Sequence, residues 1–501
     1  MVETLHYYDI INRKSPVYIT PEQKDQMQEA FDFLDKFREG RVIYGINTGF
    51  GPMAQYQIDD QKLLELQYNI IRSHCCGVGE AISKEAIRAA MYARLQTFLR
   101  GKSAVHPDVA DILVTFLNND ITPVVPQHGG VGASGDLVQL SHIALTLIGE
   151  GEVFFQGERV DTAKAMEQCG IAPLQLHIRD GLALVNGTAV MTGISLVNIH
   201  YAEKLLRYST LASVLLNEIV SSYDDFMSEV LNDLKGHKGQ SEIASQMRDI
   251  SSSSAMLRNR KESLYDVNQQ KESIFKHKVQ PYYSLRCVPQ ILGPVYDTIC
   301  VARNIVEEEL YSVDDNPIVD PESKSVYHGG NFHGDYISME MDKLKIAITK
   351  LTMLAERQIS YLFHDKINEI LPPFANLGVL GLNYGMQAAQ FTATSTTAEC
   401  QMLSNPMCVH SIPCNNDNQD VVSMGTNSAL ITQRVIDNSF QVLSIEMIAL
   451  VQAVDYLKIA DKLSIETRKL YDDIRKIVPI FIEDSTKHND IVNVIEYLKT
   501  K

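Results

Sequence analysis

From residue 181 onward, apolar residues recur at spacings of three and four over stretches much longer than an ordinary helix. These stretches fall at about 183–223, 283–312, 333–365, 384–404 and 422–459. In the third, Leu344, Ile348, Leu351, Ala355, Ile359 and Leu362 make the stripe of a helix packed along one face. Helices usually run ~11–12 residues, so elements of this length point to a bundle, one that continues across subunits. The pattern predicts a mainly α protein. A long up-down helix bundle occupies 201–501, preceded by a mixed region over 1–200.

The first 200 residues are punctuated differently. Thr20, Pro21 and Gln23 spell a helix start, with Thr20 as N-cap, proline at the first position and a capping box closed by Gln23. That helix runs to about Arg38 and stops at Gly40. Residues 41–52 read as a short strand-like run that breaks into glycines. Helical stretches follow at about 60–76 and 84–100, the second with Ser83 as its N-cap. Prolines hold 121–126 extended, and 151–170 alternates as a small hairpin and connector does. Further on, 251–277 carries four consecutive serines and dense charge, and reads as a mobile loop or linker.

A chain that is 45% hydrophobic and 21% charged can bury a substantial core. Its net charge of −17 argues against a phosphate-binding surface, and so against nucleic acid as a partner. Eight cysteines are scattered without a Cys-x-x-Cys pair, which fits reduced thiols and supports neither a disulfide framework nor a zinc site. The N-terminus lacks a basic start followed by an apolar run. No stretch reaches the ~18 uninterrupted apolar residues of a membrane span. The most apolar one, 440–456, is broken by Gln441, Glu446, Gln452 and Asp455. A cytoplasmic protein without a membrane partner is the expectation.

The chemistry concentrates at 129–140, Gly-Gly-Val-Gly-Ala-Ser-Gly-Asp-Leu-Val-Gln-Leu, where small residues surround Ser134 and an apolar helix begins after Asp136. In a chain folded sharply enough, the Gly135 amide nitrogen reaches the Ala133 carbonyl carbon. Only glycine leaves that nitrogen unobstructed, and a small residue at 133 keeps the carbonyl open. Loss of the Ser134 hydroxyl as water then leaves an exocyclic methylene on a five-membered ring, an electrophile made from backbone. Asp136, as an acidic residue, is expected to favour the first turn of the following helix.

This stretch resembles the active-site loop of the aromatic amino acid ammonia-lyases, which cyclise Ala-Ser-Gly into 4-methylideneimidazol-5-one (MIO). Five further blocks follow the family's pattern. Over 44–51, Tyr-Gly-Ile-Asn-Thr-Gly-Phe-Gly is similar to its tyrosine loop. The resemblance gives Tyr44 the removal of a substrate β-proton and places Gly51 beside the substrate amine. A phenol serves as base only if its ordinary pKa of about 10 is lowered by nearby positive potential. Over 181–188, Gly-Leu-Ala-Leu-Val-Asn-Gly-Thr matches the block whose asparagine, here Asn186, lies against the MIO carbonyl. Read without the family, the same block is a helix N-terminus capped by Asn186 and Thr188.

Over 280–290, Gln-Pro-Tyr-Tyr-Ser-Leu-Arg-Cys-Val-Pro-Gln supplies Arg286, whose planar fork suits a carboxylate. By resemblance Arg286 holds the substrate carboxylate, Tyr283 assists at the reacting centre and Gln280 supports the MIO environment. In the Gly-Asn-Phe-His turn, Asn331 joins in carboxylate binding and Phe332 packs near the ring or the MIO. The neighbouring His328 and His333 lack the carboxylate–His spacing of a zinc hydrolase, and no metal is expected. The last block, Asn-Asn-Asp-Asn-Gln-Asp over 415–420, brings Asn418 and Gln419 to the substrate.

Here the family divides. Histidine ammonia-lyases usually carry a glutamate where this chain has Gln419, while Asn-Gln-Asp resembles the phenylalanine and tyrosine branch. Ser73 and His74 stand where the family places the substrate ring, and a histidine there hydrogen-bonds a phenol hydroxyl. His74 with Gln419 favours tyrosine ammonia-lyase activity, giving trans-4-coumarate. Histidine ammonia-lyase and MIO-dependent tyrosine 2,3-aminomutase are the alternatives. The resemblance implies a fumarase/aspartase-like bundle, an MIO formed autocatalytically from Ala133, Ser134 and Gly135 with no dissociable cofactor, and a homotetramer whose active sites are shared between subunits. The Gly-Ser-Ser-x-Met-Pro loop of the fumarases and aspartases themselves is absent.

Overall fold

Hydrogen-bond spacing confirms the helical reading: in the computed structural model, which describes residues 4–265 and 279–501, long helices dominate. They run over Ala189–Ile219, Val288–Leu310, Asp335–Phe363, Gln387–Leu403 and Gly425–Leu457. All six residues of the predicted stripe, from Leu344 to Leu362, are buried. Each such aliphatic side chain contributes on the order of 1.5–3 kcal/mol when withdrawn from water.

The chain forms two compact units. The first comprises Met1–Asn198, Ala302–Asp342 and Pro406–Thr432. The second comprises Ile199–Val301, Lys343–Asn405 and Gln433–Lys501. The chain thus returns twice to the first unit after Asn198, at Ala302–Asp342 and Pro406–Thr432. Those returns carry turns that are stitched to the N-terminal segment: Asn316 N–H donates to the Asn186 side chain at 2.8 Å, and Met424 N–H to the Val131 carbonyl at 3.0 Å.

In the second unit, polar side chains tie the helices together through an apolar interior. The Gln358 amide donates to the Ser284 carbonyl at 2.8 Å and to Ser213 Oγ at 3.0 Å, and Thr349 Oγ1 donates to the Cys400 carbonyl. The Gly425–Leu457 helix is long and apolar enough to cross a membrane, but most of its apolar stretch is buried inside the protein.

The first unit holds all the described strands, each short and antiparallel to its neighbour. Glu152–Phe155 and Glu158–Asp161 make the predicted hairpin, and Thr122–Pro123 pairs with its first strand. Thr20 accepts from Gln23 N–H with the reciprocal contact in place, so the capping box over Pro21–Phe37 is real, and Ser83 caps Lys84–Leu99. The strand-like run at 41–52 is instead a series of turns. There the Asn47 side chain accepts from Ile43 N–H and donates to the Arg41 carbonyl, satisfying locally the groups a ladder would have used. Of the loop expected over 251–277, residues 266–277 lie outside the described residues. Helix Lys238–Ser251 ends at its start.

Candidate active site

The Gly-rich loop is held by its neighbours. Gly132 and Gly135 both have positive φ, +74° and +64°. A Cβ on Gly135 would collide with the Gly187 carbonyl, so the approach requires glycine. The same carbonyl accepts from Asp136 N–H at 2.8 Å. Among the described residues the Gly135 amide nitrogen makes no hydrogen bond, and Ala133 is buried against Val422 and Met424. A free amide nitrogen, a small residue ahead of it and a sharp left-handed bend fit the cyclisation that the sequence suggests.

Asp136 departs from expectation. It stands at the N-cap of Leu137–Leu147 without capping it. Its carboxyl turns to the neighbouring Ala189–Ile219 helix, accepting from Met191 N–H at 2.7 Å, and it also accepts from Thr426 Oγ1. It is fully buried, and burial pushes its carboxyl up to about 7. Asn186 also differs from the helix N-cap reading: it closes the short helix Asp180–Val185 at its C-terminus, and its Oδ1 takes the Asn316 N–H. Beneath this turn Arg94, itself buried, donates to the carbonyls of Ala183 and Asn186 and pairs with Asp314.

Around the loop opens a cleft of about 870 Å³, lined within the first unit by Tyr44, Gly51, Ser73, His74, Ala133, Ser134, Asn186, Phe332, Asn418 and Gln419. Residues separated by hundreds of positions in the sequence thus meet around Ser134. Gly51 N–H donates to Tyr44 Oη at 3.1 Å, an amide aimed at the oxygen where a base would gather charge. The buried Arg179 guanidinium is close enough to Tyr44 for their charges to interact. His74 Nδ1 lies 2.8 Å from the Ile70 carbonyl. A carbonyl only accepts, so Nδ1 carries the proton and Nε2 of the neutral ring remains an acceptor.

Gln419 Nε2 donates to Ser134 Oγ at 2.8 Å. It is presented by a turn in which Asn415, Asn416 and Asp417 all have left-handed φ, between 52° and 56°. Asn and Asp tolerate that conformation better than other side chains, which explains the run of them.

Gly135 and Asn331 are in the same unit but do not line the cleft. Gly135 lies in the loop itself, and Asn331 donates to the Val313 carbonyl at 3.0 Å. Gln280, Tyr283 and Arg286 belong to the second unit and line no part of it. There the Arg286 guanidinium donates to Gln280 Oε1 and stacks on the Tyr283 ring, 4.8 Å from its centroid, while Tyr283 is 69% exposed. Among the described residues, those that line the cleft include no arginine or lysine.

Sequence reasoning missed Asn69 and Ile70, which line the cleft one turn back from Ser73 and His74. Their spacing of three and four from those residues was the available signal.

Comparison with known proteins gives one consistent picture. The model of the family described as aromatic amino acid lyase matches residues 4–476. The MIO-dependent tyrosine 2,3-aminomutase of Streptomyces globisporus is 38% identical, over 98% of this chain and 92% of its own. The histidine ammonia-lyase of Geobacillus thermodenitrificans is 36% identical, over 98% of this chain and 94% of its own. The crystal structure of the Streptomyces globisporus tyrosine aminomutase superposes with a TM-score of 0.95 at 36% identity, covering 99% of this chain and 95% of that one.

Proposed function

The chain belongs to the aromatic amino acid lyase family, whose MIO chemistry comes with membership, and from that premise we propose that it eliminates ammonia from L-tyrosine to give trans-4-coumarate. The observation that carries the reading is the pairing of an imidazole and a side-chain amide in one cleft. His74 offers an acceptor nitrogen to a phenol hydroxyl, and Gln419 stands where histidine-specific relatives carry an anion. A site built to bond a hydroxyl discriminates strongly against a ring that lacks it.

Ala133, Ser134 and Gly135 would form the MIO by loss of two waters, without another enzyme, and the group would supply an electrophile for the substrate amine. Tyr44 acts as its phenolate, whose negative charge Gly51 N–H stabilises, and the β-proton it takes onto Oη neutralises that charge. The Asn186 side chain, anchored by Asn316, stabilises negative charge that develops on the ring system. Ser73 and Phe332 flank the aromatic ring, and Asn418 serves the polar end of the substrate.

The carboxylate has no cation within the cleft of its own first unit. Arg286 from another copy, with Tyr283 and Gln280 beside it, fills that need in a homotetramer with shared sites; the exposure of Gln280 and Tyr283, with Arg286 half-buried between them, supports the assignment. A bidentate guanidinium matches a carboxylate better than any neutral donor.

The names of the relatives favour one second reading, in which the ammonia is retained and re-added to give β-tyrosine. One experiment tests both. Purified protein is weighed intact and then incubated with L-tyrosine and, separately, L-histidine. A protein two waters lighter than its translation, releasing 4-coumarate and ammonia, is the expected outcome. β-Tyrosine as the main product replaces elimination by migration, and urocanate from histidine overturns the substrate.

A further inference from the structure

Behind Gln419, on the side facing the Gly-rich loop, lies Cys414. The two residues close a hairpin: Cys414 N–H donates to the Gln419 carbonyl at 3.1 Å and Gln419 N–H to the Cys414 carbonyl at 3.3 Å. Their side chains also meet, with Cys414 Sγ 3.3 Å from Gln419 Oε1. Cys414 packs against the buried cluster of Ala133, Val422 and Met424, so its thiol is fixed between the loop that bears Ser134 and the amide that faces it.

An amide has two ends of similar shape and opposite hydrogen-bonding sense, and rotation by half a turn exchanges them. If Oε1 faced Ser134, the reacting centre would meet an acceptor. With Nε2 there, it meets a donor. The backbone hairpin fixes where Gln419 starts but not which way its amide ends. A thiol breaks that symmetry, because a neutral S–H donates to a carbonyl oxygen. Burial pushes the Cys414 thiol up, which keeps the proton on sulfur.

We propose that Cys414 is a positioning residue, whose thiol holds the Gln419 carbonyl so that the amide NH₂ is turned toward residue 134. This rests on the reading that the cleft around Ser134 is the reaction site. Its effect is that of one weak hydrogen bond, so the scale is a few-fold change in turnover.

The test compares wild type, Cys414→Ala and Cys414→Ser, each also in the Gln419→Glu background, with the aromatic amino acid that wild type consumes fastest. Cys414→Ala is expected to lower kcat about fivefold with KM changed by less than about twofold, the scale of a single hydrogen bond. Cys414→Ser, which retains a donor, restores most of it. Intact mass stays two waters below the translation and the melting temperature stays unchanged in all three, which separates orientation from loss of the prosthetic group or of the fold. In the Gln419→Glu background the alanine change has no effect, because a carboxylate has no distinct ends.

A kcat insensitive to Cys414→Ala, or an equal loss in the Gln419→Glu background, overturns the proposal. Wild type that turns over no aromatic amino acid sinks the reading of the site itself, a result distinguishable from either.

Discussion

Arg94 and Asp314, 220 residues apart in sequence, form a buried ion pair with Nη1 2.6 Å from Oδ1, and together they hold the turn that presents Asn186. Arg94 Nη2 donates to the Ala183 and Asn186 carbonyls, and the second oxygen of Asp314 takes the Thr188 N–H at 2.6 Å. Removing one partner of such a pair leaves an uncompensated charge and is strongly destabilising. Asp314→Ala should cost about 3–5 kcal/mol in denaturant unfolding. An apolar double replacement, Arg94→Met with Asp314→Leu, should recover much of that stability while leaving turnover impaired, because the Asn186 turn has lost its anchors. A double variant as unstable as Asp314→Ala would count against this account.

Gly135 is constrained twice, by its left-handed backbone and by the Gly187 carbonyl against its α-carbon. Gly135→Ala should therefore fail to bring its nitrogen to the Ala133 carbonyl. Intact mass is expected to match the unmodified translation, with no turnover and little change in helical circular dichroism. Ser134→Ala should behave alike in mass and activity yet pack normally, since its backbone demand is unchanged. A Gly135→Ala protein two waters light would show that the geometry tolerates a side chain.

On the proposed substrate reading, Gln419 holds the choice between a phenol and an imidazole. Gln419→Glu puts a carboxylate in place of the amide that now donates to Ser134 Oγ at 2.8 Å. An anion there suits an imidazole N–H through a charge-assisted bond. The ratio of kcat/KM for tyrosine to that for histidine should fall on the order of tenfold. An unchanged ratio would move the specificity determinant elsewhere in the cleft, with His74 the next residue to replace.

Local signals carried the legible part of this molecule. The Thr20 box, the Ser83 cap, the 151–170 hairpin and the 344–362 stripe each depend on residues within a few positions of one another, and each stands in the structure. The cleft was legible through motifs, which named ten of its lining residues. What escaped depends on distance in the chain. No spacing rule links Arg94 to Asp314, or Asp136 to the helix beginning at Ala189. The left-handed run at 415–417 was visible only as composition, because Asn and Asp permit that backbone without requiring it. The strand expected at 41–52 failed because a side-chain amide at Asn47 satisfies the backbone first.

Beneath the loop the Asp314 charge acts on both Asp136 and Glu309, and of these three carboxyl groups Arg94 pairs with Asp314. Burial, and then the neighbouring carboxyls, push Asp136 and Glu309 each up to about 7. The sign follows from proton binding. The folded protein keeps the Asp136 proton up to about pH 7, whereas the unfolded chain releases it near the ordinary 3.8. Between those values the folded state binds more protons, so this contribution favours folding at low pH and is lost as pH rises through 7. From pH 5 to pH 8 Asp136 alone accounts for a loss of about 3 kcal/mol. Asp136→Asn, neutral throughout and still able to accept from Met191 N–H, should lose less thermal stability than wild type over that interval, and Glu309→Gln should do the same more weakly. Parallel melting-temperature curves for wild type and both variants would mean that these carboxyls are ionised in the folded protein at neutral pH.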